Sequence, residues 1–261
     1  MSGIGFLSDY MSDFKDDYVL IGGNACALHF AESQTPFRET VDLDVVLVIE
    51  TINDKFYKQL SDFLVPNGYE GKVFRGSNPG GAAYRFILPD DKRKPELPTQ
   101  IELFTRKPDY FNNGMYPDGY ITPIETGEAI SNFSAIILDD VLYRYILDSK
   151  IVVRGVSTVS LPCLLGLKSF AWHSNQELFD EKKIKDYTDV IKHPIDMIRI
   201  VSIFDEGEVI YPKKIFDSVQ YSKSIFEKGV VNEYIPPELD VNLAITFINE
   251  FVRERENEPE I

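Results

Sequence analysis

IGGNACALHFAESQTPFRETVDLDVVLV, residues 21–48, is the stretch that decides the fold. A glycine pair follows a short apolar run, an amphipathic segment comes next, and an acid-bearing apolar segment closes the stretch. Tyr18–Ile21 predicts a buried strand that stops at the glycines, and residues 24–32 predict a helix. Residues 41–49 predict a second, centrally buried strand, because their apolar residues are nearly continuous after Asp44.

Two acids open this second strand. Strand side chains alternate between the two faces of a sheet, so Asp42 and Asp44 point to the same side as Thr40. At that spacing the backbones of the two acids lie about 6–7 Å apart. Like charges so close repel unless a cation lies between them, and hard oxygen ligands suit Mg²⁺, which also binds substrate phosphates. The pair therefore predicts a metal-dependent site for nucleotide chemistry.

The glycine pair between the first strand and the helix is a candidate anion site. The N–H groups of a helix's first turn have no partner within the helix, and the positive end of the helix dipole lies there. Because Gly22 and Gly23 lack a Cβ, a phosphate can approach the backbone closely. An ordinary tight turn would explain the same glycines, and the two acids downstream favour the phosphate-binding interpretation.

The order of these motifs resembles a known family. Gly22-Gly23-Asn24, a spacer and then RETVDLD at residues 38–44 resemble the nucleotidyltransferases of the DNA polymerase β superfamily, and most closely the branch of AbiEii-type abortive-infection toxins. The resemblance implies that Gly22, Gly23 and Asn24 hold the β- and γ-phosphates of an NTP. It also implies that Asp42, Asp44 and a third strand carboxylate bind two Mg²⁺ ions. Many relatives have Ser or Thr where this chain has Asn24.

Glu102 is the candidate for that third carboxylate. It lies in TQIELFT, residues 99–105, where Ile101 and Leu103 alternate with it as in a strand. By order and context Glu102 matches the family position, although the family more often has Asp there. A single strand glutamate otherwise faces solvent without a chemical role, and Asp42 and Asp44 upstream favour the functional interpretation.

The resemblance also implies nucleotide-binding positions outside the glycine pair. Arg38 and Thr40 precede the acids, and an arginine there can reach a phosphate as a forked donor or pair with a surface carboxylate. Two segments in the second half of the chain also resemble the family. One is a helix with a single lysine, Lys168, and the other is a following basic-Asp-x-x-Asp segment that contains Lys185 and Asp189. The resemblance implies that these three residues lie near the triphosphate. Intrahelical pairing on an exposed helix is the alternative for Lys185, Asp189 and the neighbouring Asp186.

Composition limits the class of protein and its partners. The net charge of −15 disfavours tight non-specific binding to DNA or RNA, whose phosphates require a basic surface. No apolar run approaches the roughly 20 residues of a membrane span, and the N-terminus lacks the features of a signal peptide, so we expect a cytoplasmic protein. Two cysteines predict no disulfide framework, and three scattered histidines support no histidine catalysis.

The remaining segments predict further strands followed by helices. Strands are predicted at residues 69–75, 82–88, 99–105, 135–138 and 150–159. Helices are predicted at residues 52–64, 164–173, 181–192, 194–204, 213–226 and 239–255. Residues 139–147 fit a helix and a strand equally, while a glycine-rich turn at 76–81 and residues 108–130 predict irregular connections.

Together these elements predict an α+β (α/β) fold. A mixed sheet of the nucleotidyltransferase type, flanked by helices, is expected over residues 1–130, with connecting β segments over 131–160 and a mostly helical C-terminal domain over 161–261. The expected activity is Mg²⁺-dependent transfer of a nucleoside monophosphate from an NTP to an acceptor hydroxyl of an RNA such as tRNA, a protein or a small molecule. A non-catalytic nucleotide-binding or partner-scaffolding module is the alternative, and the resemblance also implies the toxin of a toxin–antitoxin pair.

Overall fold

The computed structural model describes residues 3–73, 83–106, 121–123, 134–205 and 207–256. The chain divides into two compact units, Met1–Val159 and Ser160–Ile261. The first unit combines a sheet with helices, and the second is mostly helical, so the predicted mixed architecture with a helical C-terminal region is confirmed. Within the described residues, no helix combines the length and apolar character that a bilayer crossing requires.

The first unit has nine described strands in one mixed sheet. The strands are β1 (Tyr18–Ile21), β2 (Asp42–Leu47), β3 (Glu70–Val73), β4 (Ala83–Ile87), β5 (Gln100–Arg106), β6 (Ile121–Pro123), β7 (Ser134–Leu138), β8 (Lys150–Val153) and β9 (Val156–Val159). Seven of them follow the order β3-β4-β5-β2-β1-β9-β8, while β7 pairs with β5 and β6 pairs with β7. The central β2 runs antiparallel to β1 and parallel to β5.

The first unit has three described α-helices, namely α1 (Gly22–Glu32), α2 (Asp54–Asn67) and α3 (Asp140–Asp148). Eight of the eleven residues of α1 are buried, the polar Asn24 and His29 among them, so this helix lies within the core. Helix α2 ends at Gly68, whose φ of 75° forms a left-handed cap.

Helix α3 occupies the segment whose sequence fitted helix and strand equally. Asp139 is its N-cap, and the Asp139 carboxylate accepts hydrogen bonds from the backbone N–H groups of Val141 and Leu142. Such a cap satisfies donors that a helix leaves unpaired at its start, which favours the helix over a strand.

The predicted strand at residues 150–159 is a hairpin of β8 and β9. Its turn residues, Arg154 and Gly155, have φ values of 48° and 82°. Positive φ at both central positions matches the twist of an antiparallel pair, so the chain reverses here and does not continue as one strand. The glycine-rich turn predicted at 76–81 lies outside the described residues, as does most of the connection predicted at 108–130.

The second unit packs four helices beside a small two-stranded sheet. The helices are α4 (Leu161–Asp180), α5 (Thr188–Ser202), α6 (Lys213–Glu227) and α7 (Val241–Phe251). The strands β10 (Val209–Tyr211) and β11 (Val252–Glu254) pair in parallel, and the sequence predicted neither of them. Residues 252–254, predicted as the end of a helix, instead leave α7 and pair with β10.

The predicted break between helices at residues 181–192 and 194–204 is wrong. Residues 181–187 form no helix, and the Asp186 carboxylate accepts a hydrogen bond from the Thr188 N–H (2.9 Å) where α5 begins. Pro194 lies inside α5 and does not separate two helices. A proline there costs one backbone hydrogen bond, and the buried face of α5 holds the helix together.

Candidate active site

The three acids predicted for the metal site lie on neighbouring strands. In the parallel pairing of β2 and β5, Asp42 lies opposite Gln100 and Asp44 lies opposite Glu102. Opposed residues of neighbouring strands are about 4.8 Å apart and share a face of the sheet. The burial patterns agree, since Asp42, Asp44 and Glu102 are half-buried while the residues between them are buried. The fold therefore brings the acids to one side of the sheet.

The carboxylates are already engaged by protein groups. Within the described residues, no three acidic, histidine or cysteine side chains meet closely enough to hold a metal ion in their present positions. The Asp42 Oδ1 accepts a hydrogen bond from the Thr99 hydroxyl (2.8 Å). Glu102 forms an ion pair with Arg85, whose Nε and Nη2 both contact its Oε1.

Arg85 is a site residue that sequence reasoning missed. In the antiparallel pairing of β4 and β5, Arg85 lies directly opposite Glu102. The contact is largely enclosed, because the side chains of Arg85 and Glu102 are 35% and 13% exposed. No local motif signals this pairing, since it depends on the register between two strands that a long segment separates.

The glycine pair brings the start of α1 against the acids. Gly22 has a φ of 75°, and a Cβ placed on it would lie 2.0 Å from the Asp44 Oδ2. A Cβ on Gly23 would lie 2.5 Å from the Thr40 hydroxyl. Only residues without a side chain fit such distances. The glycines are therefore required by the close packing of Asp44 and Thr40, and the Asp44 carboxylate itself lies at the positive end of the helix.

Asn24 links the helix to the acid-bearing strand. It is fully buried, and its amide nitrogen donates to the backbone carbonyl of Asp42 (2.7 Å). Its Oδ1 is among the buried polar atoms of the described residues for which no hydrogen-bond partner is present. The Asn24 side chain thus links the first residue of β2 to the first turn of α1. The phosphate contact predicted for Asn24 would come from its backbone N–H.

A pocket of about 310 Å³ adjoins this helix. Its lining consists of small helical residues and the loop before β2, namely Ala27, Ala31, Thr35, Phe37, Arg38, Glu39 and Thr40. The Arg38 guanidinium lies 5.4 Å from the centre of the Phe37 ring. Thr40 lines this pocket, and its hydroxyl also lies against Gly23 at the start of α1. Two predicted nucleotide-binding residues, Arg38 and Thr40, thus line one cavity.

His29 links α1 to strand β9 of the sheet. Its Nε2 donates to the carbonyl of Val159 in β9 (2.8 Å). Burial lowers the pKa of His29, because the imidazolium form loses more hydration than the neutral ring. A neutral, hydrogen-bonded histidine of this kind has a structural role.

The remaining predicted residues lie in the second unit. Lys168 is buried in α4 and forms an ion pair with Asp196 of α5, with Nζ and Oδ2 2.8 Å apart. To bind a phosphate, Lys168 would have to leave that partner. Lys185 is exposed in the loop before α5, and Asp189 pairs with Lys192 at 2.9 Å, three residues along the helix. The roles of Lys168, Lys185 and Asp189 stay predictions.

Comparisons with known proteins add one likeness. No protein-family model and no curated protein matches the chain. Among solved structures it is similar to the solution structure of the antibiotic-resistance factor ANT(2'')-Ia, with a TM-score of 0.32 and 10% identity, over 85% of this chain and 89% of that chain. A TM-score this low establishes no shared fold, so the function is argued from the residues and their contacts.

Proposed function

We propose that this protein is a Mg²⁺-dependent nucleotidyltransferase that transfers a nucleoside monophosphate from an NTP to an acceptor hydroxyl. The observation that carries the proposal is the strand register that sets Glu102 beside Asp44, at the point where a glycine-led helix starts. Acids gathered on one face beside a helix N-terminus suit a metal-bound triphosphate, because the metal engages the acids and the helix N–H groups engage the phosphates.

The residues fit the metal that this chemistry needs. Asp42, Asp44 and Glu102 offer hard carboxylate oxygens, the ligands that Mg²⁺ prefers. Glu102 retains a usable ligand atom, since both Arg85 nitrogens contact Oε1 and Oε2 has no protein partner among the described residues. When bound, the metal would favour deprotonation of the acceptor hydroxyl and stabilise charge on the transferred phosphoryl group.

The protein's own groups would position the nucleotide. The backbone N–H groups of Gly22, Gly23 and Asn24 would receive the β- and γ-phosphates. Arg38, which lines the pocket, would donate to a phosphate oxygen. Thr40, whose hydroxyl lies against Gly23, would orient the ligand. The resemblance to AbiEii-type enzymes also implies nucleotide-binding roles for Lys168, Lys185 and Asp189.

The acceptor class stays open between tRNA, a protein hydroxyl and a small molecule. The net charge of −15 favours acceptors other than long nucleic acids. A toxin role with a partner antitoxin is a further part of the proposal, and it rests on the family resemblance. Growth arrest on expression, abolished by Asp42→Ala and relieved by an antitoxin protein, would support that role.

A nucleotide-binding module without turnover is the second candidate. The observation that favours it is the ion pair between Arg85 and Glu102, because the arginine already occupies a carboxylate oxygen that a metal ion would bind. Calorimetry with NTPs distinguishes the two, since binding without release of pyrophosphate favours the module.

Label transfer tests the enzymatic proposal directly. The full chain is incubated with NTPs labelled at the α-phosphate, Mg²⁺ and either total RNA or total protein. We expect Asp44→Asn to lower transfer by at least about 100-fold, because the substitution removes one charged ligand while keeping the shape of the side chain. Asp62→Asn is the matched control, since Asp62 pairs with Lys58 on the exposed face of α2. Equal transfer by wild type and Asp44→Asn would refute the proposal.

A further inference from the structure

The pocket beside α1 has an alanine-lined side that leaves space for a ligand. Ala27 and Ala31 line it one helical turn apart, and neither side chain extends beyond its Cβ. Residues of the loop 35–40 complete the lining. The volume of about 310 Å³ lies at the lower end of the range for small-molecule sites, so the pocket suits one ring system and is too small for a folded partner.

An aromatic ring and a guanidinium form part of the lining. The Phe37 ring packs on Phe30 of α1, with ring centres 4.7 Å apart, and this contact fixes its position. The Arg38 guanidinium lies over the Phe37 ring, with its central carbon 5.4 Å from the ring centre. Aromatic rings and guanidinium planes are the surfaces on which nucleobases stack in proteins. The lining therefore suits a flat heterocycle better than a flexible chain.

Polar groups of the same lining can bind the edge of a heterocycle. The Thr35 hydroxyl donates to the carbonyl of Ser33 (3.2 Å), so its oxygen can still accept a hydrogen bond. Glu39 adds a carboxylate, which accepts hydrogen bonds from amino groups. Ring nitrogens and exocyclic amino groups of a base offer the complementary donors.

The pocket lies beside the groups proposed to hold the phosphates. A Cβ on Gly23 would lie 2.5 Å from the Thr40 hydroxyl and 3.4 Å from the Arg38 Nη2, so two lining residues reach the first turn of α1. Ala31, at the other end of the lining, is eight residues or about 12 Å further along the helix. In an NTP the α-phosphate and the ribose separate the base from the β- and γ-phosphates. A base-binding pocket is therefore expected along the side of α1 and not at its start.

We infer that this pocket binds the nucleobase of the NTP. In this arrangement Phe37 and Arg38 contact the face of the base, Thr35 and Glu39 bind its edge, and Ala31 leaves the space that the base fills. Arg38 can serve both parts of the nucleotide, because its N–H groups donate to a phosphate while its planar face contacts the base. The inference rests on the proposed function and specifies where the nucleoside part of the same substrate lies.

Filling the pocket separates binding of the base from binding of the phosphates. The full chain is titrated in a calorimeter, in the presence of Mg²⁺, with each of the four NTPs and with inorganic tripolyphosphate. We expect Ala31→Leu to weaken the best-bound NTP at least about tenfold, because the base loses its stacking contacts, and to change tripolyphosphate affinity by less than about twofold. The matched control is Ser33→Leu, which adds bulk at an exposed position outside the lining. It should bind NTPs as the wild type does.

Chemical protection gives a second readout that needs no bulky substitution. Cys26 and Cys163 are both buried, so Ala31→Cys places an accessible thiol in the pocket without a competing native one. We expect the best-bound NTP to slow maleimide labelling of this variant at least about tenfold, because a thiol reacts only where the reagent reaches it, and tripolyphosphate to leave the rate unchanged. Ser33→Cys should be labelled at the same rate with and without NTP. Circular dichroism checks that each variant is folded.

The contrary outcomes are distinct from failure of the proposed function. Unchanged NTP affinity in folded Ala31→Leu, equal losses for NTP and tripolyphosphate, or labelling of Ala31→Cys that NTP does not slow would each overturn the inference and leave the proposed function standing. Reduced label transfer by Ala31→Leu at constant NTP affinity would assign the pocket to the acceptor and would also overturn it. If the wild type bound neither the NTPs nor tripolyphosphate, the proposed function would be removed together with the inference.

Discussion

The two units of this protein handle charge in opposite ways. In the first unit, Asp42, Asp44 and Glu102 share one half-buried sheet face, and Arg85 pairs with one of them. In the second unit, Lys168 and Asp196 form a buried pair whose side chains are 6% and 0% exposed. The first arrangement groups three acids at a partly open surface, and the second matches one charge to another inside the core.

Other buried polar groups of the second unit contact one another between α4 and α6. The Ser169 hydroxyl hydrogen-bonds to Ser222 (2.9 Å), and His173 Nε2 lies 2.9 Å from the same Ser222 hydroxyl. Buried polar groups that are paired with each other fix how helices pack, whereas acids grouped at a partly open surface are typical of ligand binding. The difference teaches that the acids of the first unit are functional candidates and that the ion pair of the second unit is architectural in this structure, so Lys168 would have to leave it to bind a phosphate.

The largest expected effect comes from breaking the architectural pair. Asp196→Ala leaves the Lys168 ammonium buried without its carboxylate, so we expect the free energy of unfolding to fall by about 3–5 kcal/mol. Urea unfolding followed by tryptophan fluorescence measures this loss, because Trp172, the sole tryptophan, is buried in α4 of the same unit.

Two further variants separate buried charge from charge in general. Asp217→Ala removes an exposed partner of Lys213 on α6 and should cost less than about 1 kcal/mol. Combining Lys168→Met with Asp196→Leu should recover most of the stability, since no unpaired charge then remains in the core. A loss below about 1 kcal/mol for Asp196→Ala would break the comparison between the two units.

A smaller effect is expected at the glycine beside the acids. Gly22 and Gly155 have similar φ values of 75° and 82°, but a Cβ on Gly22 meets Asp44 at 2.0 Å, while a Cβ on Gly155 meets nothing within 4 Å. Both alanine substitutions carry the backbone cost of about 1–2 kcal/mol. Gly22→Ala should lose about 1–3 kcal/mol more, because Asp44 must move. Thermal unfolding measures the difference, and equal losses would show that Asp44 does not pack tightly on this helix.

Much of the first unit could be predicted from the sequence because its signals are local. The strand Tyr18–Ile21 occurs as predicted, and the acids of β2 alternate with buried residues as the period-two pattern requires. The helix was predicted to begin at residue 24, after the glycines, while the structure starts α1 at Gly22 itself. The difference is one of capping geometry, which single residues rarely reveal.

The parts that escaped prediction depend on contacts between distant segments. The pairing of Arg85 with Glu102 needs the register of β4 against β5, and β10 forms only because residues 252–254 return to pair with it. Helix α5 starts at Thr188, whose backbone N–H donates to the Asp186 carboxylate, although the helical periodicity of the sequence extends further back. Periodicity records which face is buried and carries no information about which strand lies alongside.

The smallest expected change in stability distinguishes the sheet acids from the core acid most sharply. Asp42→Asn keeps an oxygen that accepts from the Thr99 hydroxyl and removes one of two neighbouring negative charges. We therefore expect the free energy of unfolding to stay constant or rise by up to about 0.5 kcal/mol, while the affinity for Mn²⁺, a paramagnetic substitute for Mg²⁺, falls at least about tenfold. Asp196→Asn, the same substitution in the second unit, should cost several kcal/mol and leave Mn²⁺ binding unchanged. Thermal unfolding and Mn²⁺ titration of both variants give the two readouts. Equal destabilisation by Asp42→Asn and Asp196→Asn would show that the sheet acids are part of the scaffold. A carboxylate that serves to bind a ligand lowers the stability of the ligand-free protein, whereas a carboxylate that pairs inside the core raises it.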